Sequence, residues 1–386
     1  MNILFIYENA INPITGGVER ITFLLADYLE KSGCRVFFMG LSDTFENNDP
    51  RQVFLPDSED ITSDKNIAFY LDFLKKKNIQ TVINKSGMNK NISKLSYNCC
   101  NIGIKLVSVI HNSILGTIKN YSSVNKEKYR DLNLGLILAL TDLKIVKSLM
   151  LFAFKLKYFR HYRALCRNSN NVIIESSNFI EELQFIVGKS YLKNVVAIPN
   201  FIVSNNTAIE PKKKEVLFVG RINTSQKRVD LLLKIWKLIH NKFPDWELKI
   251  VGDGDELASI KDLSLELNLR NITFFGYQEA TSFYKSASIL CLTSSYEGFG
   301  IVLIEAMSHG AVPMAFNSYL SVTDIIDNSK NGFLITPFNI QEYAESLSDL
   351  MSSQKLLKKF SSEAKIKSAE FDLSVVGKKW LDTLSI

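Results

Sequence analysis

Short apolar runs alternate with amphipathic helical patterns along the whole chain. The runs of the first half have the length of buried strands, and several are rich in β-branched and aromatic residues. The first helical pattern begins near Val18, where apolar side chains recur at spacings of three and four residues. Strands that alternate with helices predict parallel sheets with crossover connections. The strands predicted in the first half are 2–7, 35–41, 81–84, 105–111, 171–175 and 195–198.

A second series of the same kind begins at Glu215, after a polar stretch with three consecutive lysines. This break divides the 386 residues into two parts, each long enough for a core of its own. The sequence predicts an α/β protein of two doubly wound, Rossmann-like domains that face a cleft, at 1–203 and 215–370, joined by a linker at 204–214. The strands predicted in the second half are 215–219, 247–251, 272–275, 289–293, 312–315 and 333–335.

The net charge of +6 is concentrated in the first half of the chain. Residues 101–170 alone carry 12 basic and 3 acidic side chains, which predicts an acidic partner such as a lipid headgroup or nucleic acid. Lys144, Lys147 and Lys155 share one arc of a helix whose other positions are largely apolar.

We expect the stretch 144–167 to rest on an anionic membrane surface, although a core helix with a solvated basic face explains the same pattern. Nucleic acid is the weaker interpretation, because the chemistry-bearing motifs lie elsewhere in the chain.

The N-terminal apolar run is too short for a signal peptide, and no uncharged run of 18 residues could cross a bilayer. The five cysteines form no C-x-x-C pair, which fits a reducing compartment better than a disulfide framework or a zinc site. We therefore expect a cytoplasmic protein, placed on the inner face of the cytoplasmic membrane where the basic stretch meets lipid.

The densest cluster of glycines and carboxylates directly follows a predicted buried strand of the second domain. Gly298 and Gly300, on either side of Phe299, let the backbone approach a ligand closely. A helix that opens near Gly300 directs free N–H groups and partial positive charge to the same place, which suits a phosphate. Glu297 and Glu305 can accept hydrogen bonds from sugar hydroxyls. Taken alone, these two glutamates are equally explained as a helix-terminal charge and a solvated side chain.

Two cations follow the first strand of the second domain. Arg221 comes directly after Gly220 at the end of the strand, and Lys227 precedes the next predicted helix. A diphosphate needs two such countercharges, above all when it departs as a leaving group. Exposed basic side chains are otherwise usually solvated, so this prediction depends on the neighbouring anion site.

The first domain offers two weaker signals at its predicted strand ends. Gly16 and Gly17 join the first strand to the first helix, where their backbone N–H groups can face a phosphate. His111 ends the predicted strand 105–111 and is placed to form a hydrogen bond with a substrate. A single histidine is more often structural, and the glycines lack the spacing of a dinucleotide-binding turn.

The order of these motifs resembles that of the family 4 retaining glycosyltransferases, which have the GT-B architecture. The resemblance spans nearly the whole chain, and its segment with Glu297 and Glu305 is specific. The segments that carry it are GGVER at 16–20, IPN at 198–200, FVGR at 218–221, QKR at 226–228, IVGDG at 250–254, FFG at 274–276 and EGFGIVLIE at 297–305.

The resemblance implies a nucleotide-sugar site in the second domain and an acceptor site in the first. It also implies a last helix, at 371–386, that crosses back to the first domain, and Trp380 lies within it. The sequence departs from the family at two positions where glycine is common, Phe201 and Arg228. Neither change removes a charged contact. The two departures therefore put only the shape of the local loops in doubt.

The family's functional residues carry over to matching positions of this chain. Arg221 and Lys227 would contact the diphosphate, Glu305 the ribose, and Glu297 the donor sugar. The backbone at Gly298, Phe299 and Gly300 would contact sugar and phosphate, and the Gly16–Gly17 turn would give a backbone N–H to the diphosphate. His111 would lie near the hydroxymethyl group of the sugar, with Tyr277 and Gln278 at the base. The residues expected to act in catalysis are Glu297, His111, Lys227 and Arg221.

The reaction implied is transfer of a hexose or N-acetylhexosamine, with retention, from a nucleoside-diphosphate sugar, expected to be UDP-linked. The acceptor would be a hydroxyl of a lipid-linked or growing glycan in bacterial capsule, O-antigen or lipopolysaccharide synthesis. Two alternatives remain open: a nucleotide-sugar epimerase of the same fold, and a non-catalytic nucleotide-sugar-binding protein.

One short motif favours a metal enzyme instead. Asp253 and Asp255 flank Gly254 as a D-x-D, a pattern that can hold a divalent cation through its carboxylates. Their position in a strand-to-helix turn explains the same residues without a metal. We therefore predict no metal site and no cofactor, the nucleotide sugar being a substrate.

Overall fold

The computed structural model describes residues 1–9, 11, 16–41, 49–125, 129, 134–204 and 211–386. These residues divide into two compact units. The first contains Met1–Ile114, Phe152–Phe201 and Leu373–Ile386, and the second contains Leu115–Leu151 and Ile202–Asp372. The segment Leu115–Leu151, assigned to the first domain by the sequence, thus groups with the second unit. Most of the linker predicted at 204–214 lies outside the described residues.

The first unit is built on a sheet of seven parallel strands in the order β3-β2-β1-β4-β5-β6-β7. Its central strands are apolar on both faces, as expected for a parallel sheet that helices cover on both sides. Strand order reverses direction between β1 and β4, and ligands bind at the carboxyl ends of strands beside such a switch point. The strands are β1 (Asn2–Ile6), β2 (Arg35–Gly40), β3 (Gln52–Phe54), β4 (Thr81–Asn84), β5 (Lys105–Ile110), β6 (Asn171–Ile174) and β7 (Val195–Ala197).

The second unit has a six-stranded parallel sheet in the order β10-β9-β8-β11-β12-β13, with its switch point between β8 and β11. Trp236, the largest fully buried side chain of the chain's described part, packs in its core with Phe218 and Phe316. The strands are β8 (Lys213–Val219), β9 (Glu247–Val251), β10 (Ile272–Gly276), β11 (Ala287–Leu292), β12 (Val312–Phe316) and β13 (Phe333–Ile335).

Several helices begin where the sequence offers a capping side chain. Side chains of Ser63, Asn89, Asn339 and Ser353 accept backbone N–H groups at four helix N-termini. No helix in the described part is both long and apolar enough to span a bilayer. The α-helices are Gly17–Lys31, Asp64–Lys76, Lys90–Tyr97, Gly116–Lys119, Tyr121–Val124, Gly135–Leu140, Lys144–Asn168, Phe179–Val187, Val229–Ile239, Leu257–Glu266, Thr281–Ser286, Ile301–Ser308, Val322–Ile325, Ile340–Ser352, Gln354–Ser368 and Leu373–Leu384.

The predicted fold class of two doubly wound parallel sheets is confirmed. All twelve predicted strands are present with ends shifted by at most two residues. The prediction missed β3, a three-residue edge strand whose residues are all half-buried and therefore lack an apolar run. The last helix, Leu373–Leu384, packs within the first unit: Gly377 lies against the ring of Tyr28.

Candidate functional site

A buried ion pair lies at the switch point of the second sheet. Lys227 follows β8 and Glu297 follows β11, and these two strands are neighbours. The Lys227 Nζ lies 2.6 Å from the Glu297 Oε1, and both side chains are about nine-tenths buried. Ser294 donates its hydroxyl to the same oxygen at 2.6 Å. The structure thus brings together two residues that the sequence placed in one site, and it adds Ser294.

The loop that carries Lys227 is fixed by side chains from both strand ends. The Asn223 Oδ1 accepts the backbone N–H groups of Gln226 at 3.1 Å and Lys227 at 2.8 Å. The Thr293 hydroxyl lies 3.0 Å from the carbonyl oxygens of both Lys227 and Arg228. Because this loop is held from two sides, Lys227 is presented in a defined position, as an electrostatic contact requires.

Gly220 and Gly252 let two strand ends come unusually close together. Gly220 has a φ of +153° and Gly252 a φ of +143°, and both values favour glycine. A Cβ on Gly252 would collide with the carbonyl oxygen of Gly220, and a Cβ on Gly220 would lie 3.3 Å from the Cε of Lys227. The predicted donor-site residue Gly220 therefore makes room for the lysine stem.

Arg228, one of the two departures from the family pattern, takes a conformation that glycine usually provides. Its φ is +52°, in the left-handed region, at the N-terminus of the helix Val229–Ile239. The guanidinium is buried and binds Asp230 through two hydrogen bonds of 2.9 and 3.0 Å. It also donates to the Ser123 hydroxyl. The loop keeps its shape without glycine because these bonds hold the strained residue.

We expect Arg228→Ala to reduce the free energy of unfolding by about 3 kcal/mol, because the buried Asp230 carboxylate loses both hydrogen bonds to Arg228 and is left with the partly exposed Lys234, 3.7 Å away. Urea denaturation of the variant measures this change. The double variant Arg228→Ala/Asp230→Ala serves as the control. It should recover part of the loss, and a loss that is equal or larger in the double variant would contradict the account.

Gly300 begins the helix Ile301–Ser308 in the left-handed conformation, with a φ of +95°. The Ser321 hydroxyl fixes the turn before it by donating to the carbonyl oxygens of Gly298 at 2.7 Å and Phe299 at 3.2 Å. Phe299 itself is buried against Phe371 in an edge-to-face contact. The Phe299 side chain thus belongs to the core, and contact of the turn's backbone with a ligand stays a prediction.

Tyr319 is a further residue at this turn that sequence reasoning missed. Its hydroxyl is buried and has no hydrogen-bond partner among the described residues. A Cβ on Gly300 would lie 3.2 Å from this oxygen. Burial and, secondarily, the charge of Glu297 raise the pKa of Tyr319 well above its ordinary value, so the hydroxyl stays a donor.

The remaining predicted donor-site side chains of this unit are less buried than Glu297. Glu305 is half-buried in the helix Ile301–Ser308 and accepts the Tyr284 hydroxyl at 2.9 Å. Arg221 is exposed beyond the end of β8. Tyr277 and Gln278 follow β10 and are also exposed. The side chains of Arg221 and Gln278 can be reached from solvent.

The D-x-D segment forms a tight turn after β9. The Asp253 carboxylate accepts the Gly254 N–H at 2.8 Å, which is a local turn contact. Within the described ranges, no three His, Cys, Asp or Glu side chains come together in a way that could hold a metal ion. Independence of a metal stays a prediction.

The predicted glycine turn of the first unit stands at a helix N-terminus. Gly16 is the residue before the helix Gly17–Lys31, and its backbone is extended. Gly17 is exposed, so its N–H is open to a ligand. These positions agree with a turn whose backbone faces phosphate.

His111 is buried directly after β5 and pairs with a residue that the sequence analysis did not single out. Its Nδ1 lies 2.5 Å from the Oε1 of Glu175, which is also buried. The Nε2 has no hydrogen-bond partner among the described residues. Burial lowers the pKa of His111, as does Lys85, whereas Glu175 raises it. The net shift is downward, so the ring is neutral at pH 7.

Part of the chain matches a known protein family, and the whole chain resembles solved structures in its fold. Residues 201–367 match the family model described as Glycosyl transferases group 1. The lipopolysaccharide outer core galactosyltransferase WaaB, in its apo form, superposes with a TM-score of 0.72 at 19% identity, over 100% of this chain and 99% of WaaB. The fold is that of the GT-B glycosyltransferases. Another structure of similar fold, Anabaena HepE in complex with UDP and glucose, has a TM-score of 0.74 at 16% identity, over 100% and 99% of the two chains.

The chain is also similar in sequence to glycosyltransferases of bacteria. An uncharacterized glycosyltransferase of Haemophilus influenzae is 34% identical over 191 residues, which are 48% of this chain and 54% of that protein. The matched region spans 54% of that protein and 59% of the amylovoran biosynthesis glycosyltransferase AmsD of Erwinia amylovora, to which this chain is 30% identical over 215 residues. The family model covers the second unit's sheet, which contains the Lys227–Glu297 pair within a GT-B fold.

Proposed function

We propose that this protein is a retaining glycosyltransferase of family 4 that uses a nucleoside-diphosphate sugar. The observation that carries this proposal is the buried Lys227–Glu297 pair next to the N-terminus of the helix Ile301–Ser308. A cation, a carboxylate and free backbone N–H groups at one strand edge suit a diphosphate and the sugar attached to it. The match of residues 201–367 to the glycosyltransferase family model supports it.

In the reaction we propose, the bond between the sugar's anomeric carbon and the diphosphate oxygen breaks on the same face that the acceptor hydroxyl attacks. Lys227, Arg221 and the helix N-terminus stabilise the negative charge that develops on the leaving diphosphate. The acceptor proton passes to a leaving phosphate oxygen. Glu297 stabilises the positive charge that develops at the anomeric carbon. A covalent Glu297 adduct is the competing mechanism for the same stereochemistry.

We further propose a UDP-linked hexose or N-acetylhexosamine as donor, with Glu305 on the ribose and with Tyr277 and Gln278 at the base. The UDP in the HepE complex supports the choice of base, since that protein shares the fold. A lipid-linked or growing glycan of bacterial capsule, O-antigen or lipopolysaccharide synthesis is the acceptor we propose, and similarity to an outer core galactosyltransferase supports it. No metal or cofactor takes part in this proposal.

A screen of nucleotide sugars tests the proposal. We expect one UDP-sugar to bind and to be hydrolysed slowly without acceptor, and activity to survive EDTA. Accumulation of an epimeric nucleotide sugar would favour the epimerase, whereas binding without any turnover would favour a non-catalytic sensor. Activity that EDTA abolishes and Mg²⁺ restores would contradict the predicted independence of a metal.

The helix Lys144–Asn168 supports the proposed contact with an anionic membrane. Its buried residues, Tyr162, Leu165 and Cys166, all lie in its last third. The earlier turns expose a stripe at spacings of four, three and four residues, which places all its members within about a 60° arc. The stripe consists of Ile145 (77% exposed), Leu149 (64%), Phe152 (55%) and Leu156 (57%).

Charge decides between a membrane and a second copy of the chain as the partner of this stripe. Residues 144–167 contain seven basic and no acidic side chains. Two such helices packed together would repel each other, whereas anionic headgroups attract each basic residue by about 1 kcal/mol near the surface. Apolar side chains that enter the boundary between headgroups and acyl chains are removed from water, and this burial strengthens membrane binding further. The anionic membrane is therefore the partner we propose.

We expect the protein to co-sediment with vesicles that contain 30% phosphatidylglycerol but not with pure phosphatidylcholine vesicles. The variant Leu149→Gln/Phe152→Gln should lose most of this binding, because it removes the centre of the stripe. Leu265→Gln, which changes another highly exposed leucine, is the control and should bind normally. Binding that is insensitive to anionic lipid, or a wild-type dimer that the double variant dissociates, would contradict the membrane assignment.

A further inference from the structure

Three neighbouring strands of the first sheet each end in a buried polar residue that can carry charge. Lys85 follows β4, His111 follows β5 and Glu175 follows β6, each as the first residue after its strand. The strands are adjacent in the order β4-β5-β6, so the three residues occupy one edge of the sheet. Each side chain is at least nine-tenths buried. Buried charges are rare unless they are paired or functional, so this cluster requires an explanation.

The contact between His111 and Glu175 determines which ring nitrogen carries the proton. In the neutral imidazole, one nitrogen donates and the other accepts. The Glu175 carboxylate, 2.5 Å from Nδ1, requires a donor there, so the proton resides on Nδ1. The unpartnered Nε2 is then an acceptor with an unused lone pair. A buried polar atom without a partner is costly, and a ligand that donates a hydrogen bond would satisfy it.

Lys85 is the buried cation of this cluster: burial lowers its pKa to about 8, and the negative charges of Glu175 and Glu19 counteract that effect. The Lys85 Nζ lies 5.6 Å from the centre of the Trp380 ring, on the last helix of the chain. Lys85, His111 and Glu175 line one small cavity together with Asn200 and Trp380. The rest of the lining is largely apolar, with Ile21, Leu25 and Phe201 among it, so the acceptor atom, the cation and the amide are the groups that would orient a hydroxyl in the cavity.

We infer that Glu175 and Lys85 are positioning residues that hold His111 as its Nδ1–H tautomer, so that Nε2 accepts a hydrogen bond from a hydroxyl of the sugar substrate. The identity of the ligand rests on the proposed function, whereas the tautomer and its two supporting residues do not. Glu175 orients the ring and Lys85 sets the local electrostatic potential. Neither residue needs to touch the substrate.

Lys85 and Glu175 shift the pKa of His111 in opposite directions. Burial is the main cause of the lowered pKa of His111, and the positive charge of Lys85 lowers it further. The negative charges of Glu175, and of Glu19 on the first helix, raise it. Because Nε2 accepts only in the neutral ring, turnover should fall as the pH drops through the pKa of His111.

Nitrogen-15 NMR of the imidazoles tests this inference, and only four histidines need to be assigned. In the free protein at pH 7, we expect His111 to show a protonated Nδ1 and an unprotonated Nε2. Glu175→Leu should shift the proton toward Nε2 and lower kcat about tenfold, a change typical of one lost hydrogen bond. Glu182→Gln is the matched control, since this glutamate is also buried in the first unit and accepts the hydroxyl of Ser113.

Two conservative variants test how the charges of Lys85 and Glu175 change the pKa of His111. Lys85→Met should raise the pKa of His111 and move the acid limb of the kcat/KM profile to higher pH. Glu175→Gln should lower that pKa and move the limb to lower pH, because the amide still accepts Nδ1–H but carries no charge. A purely structural role would change stability without moving the limb in opposite directions.

The outcomes separate this inference from the proposed function. A wild-type His111 protonated on Nε2, or a common direction of shift in the two variants, would overturn the inference whatever the protein's activity. An Nδ1–H tautomer together with no turnover of any nucleotide sugar would instead contradict the proposed function. Addition of the sugar substrate should perturb the Nε2 resonance, and an Nε2 resonance unchanged at saturating substrate would contradict its role as an acceptor.

Discussion

Replacing Lys227 with alanine is expected to lower the rate of glycosyl transfer about 1,000-fold. The lysine is the buried cation at the switch point of the second sheet, and its loop is fixed by Asn223 and Thr293. A preorganised charge that faces a leaving diphosphate accounts for a factor of about 100 to 1,000 when it is removed. Steady-state kinetics with the donor identified by the nucleotide-sugar screen measures the effect.

The control for this variant is a second buried lysine of the same sheet. Lys249 pairs with Glu215 at 2.7 Å, and both side chains are similarly buried. Lys249→Ala should destabilise the protein about as much as Lys227→Ala, because each leaves a buried carboxylate unpaired. Only Lys227→Ala should lose activity. Equal losses of activity in the two variants would show that stability, and not charge at the site, explains the effect.

Glu297→Gln is expected to lower kcat about 100-fold without weakening the binding of the donor. The amide keeps the shape of the side chain and its contact with Ser294, but it removes the negative charge that stabilises the developing positive charge at the anomeric carbon. It also frees Lys227 from its ion pair, so the lysine can bind the diphosphate more strongly. Calorimetric titration with UDP and steady-state kinetics together separate the two effects.

Glu215→Gln is the matched control, since Glu215 is a buried glutamate paired with Lys249 on the same sheet. It should leave kcat near the wild-type value. A Glu297→Gln variant with normal kcat and weaker binding of UDP would mean that the carboxylate orients the lysine in the ground state. It would then have no role in the transition state.

The sheets could be predicted from the sequence because each central strand is a short apolar run between helical patterns. Burial on both faces leaves a clear signal in strands such as β8 and β11, whereas the half-buried edge strand β3 leaves none. Motif order placed Lys227 and Glu297 in one site, since both residues lie in loops that follow strands on either side of a switch point, but it did not predict their ion pair.

The residues that escaped prediction are those whose role depends on contacts between distant segments. Glu175 was taken as the end of a strand, and its partner His111 is 64 residues away. Both Lys85 and Glu175 did carry a usable signal, since each lies at the carboxyl end of a predicted strand, where open parallel sheets bind their ligands. Arg228 was recognised as a departure, but its bonds to Asp230 and Ser123 could not be inferred from local sequence.

The segment Leu115–Leu151 is a longer part of the chain whose position also depends on contacts between distant segments. Its position in the chain assigned it to the first domain, yet it groups with the second unit. Asn120 donates to the carbonyl oxygens of Ser295 and Ser318 at 2.6 and 2.7 Å, and Ser123 contacts Ser295 and Arg228. These polar contacts hold the segment against the loop before Glu297. Hydrophobic periodicity gives no signal for such contacts.

The most direct test of the proposed transfer reaction is a proton NMR time course of the wild-type enzyme with its UDP-sugar donor. We predict that UDP appears together with a transferred or hydrolysed sugar whose first-formed anomeric configuration is that of the donor. The nucleotide sugar that remains should be unchanged. An inverted first product, or an epimeric UDP-sugar in place of free UDP, would contradict the account.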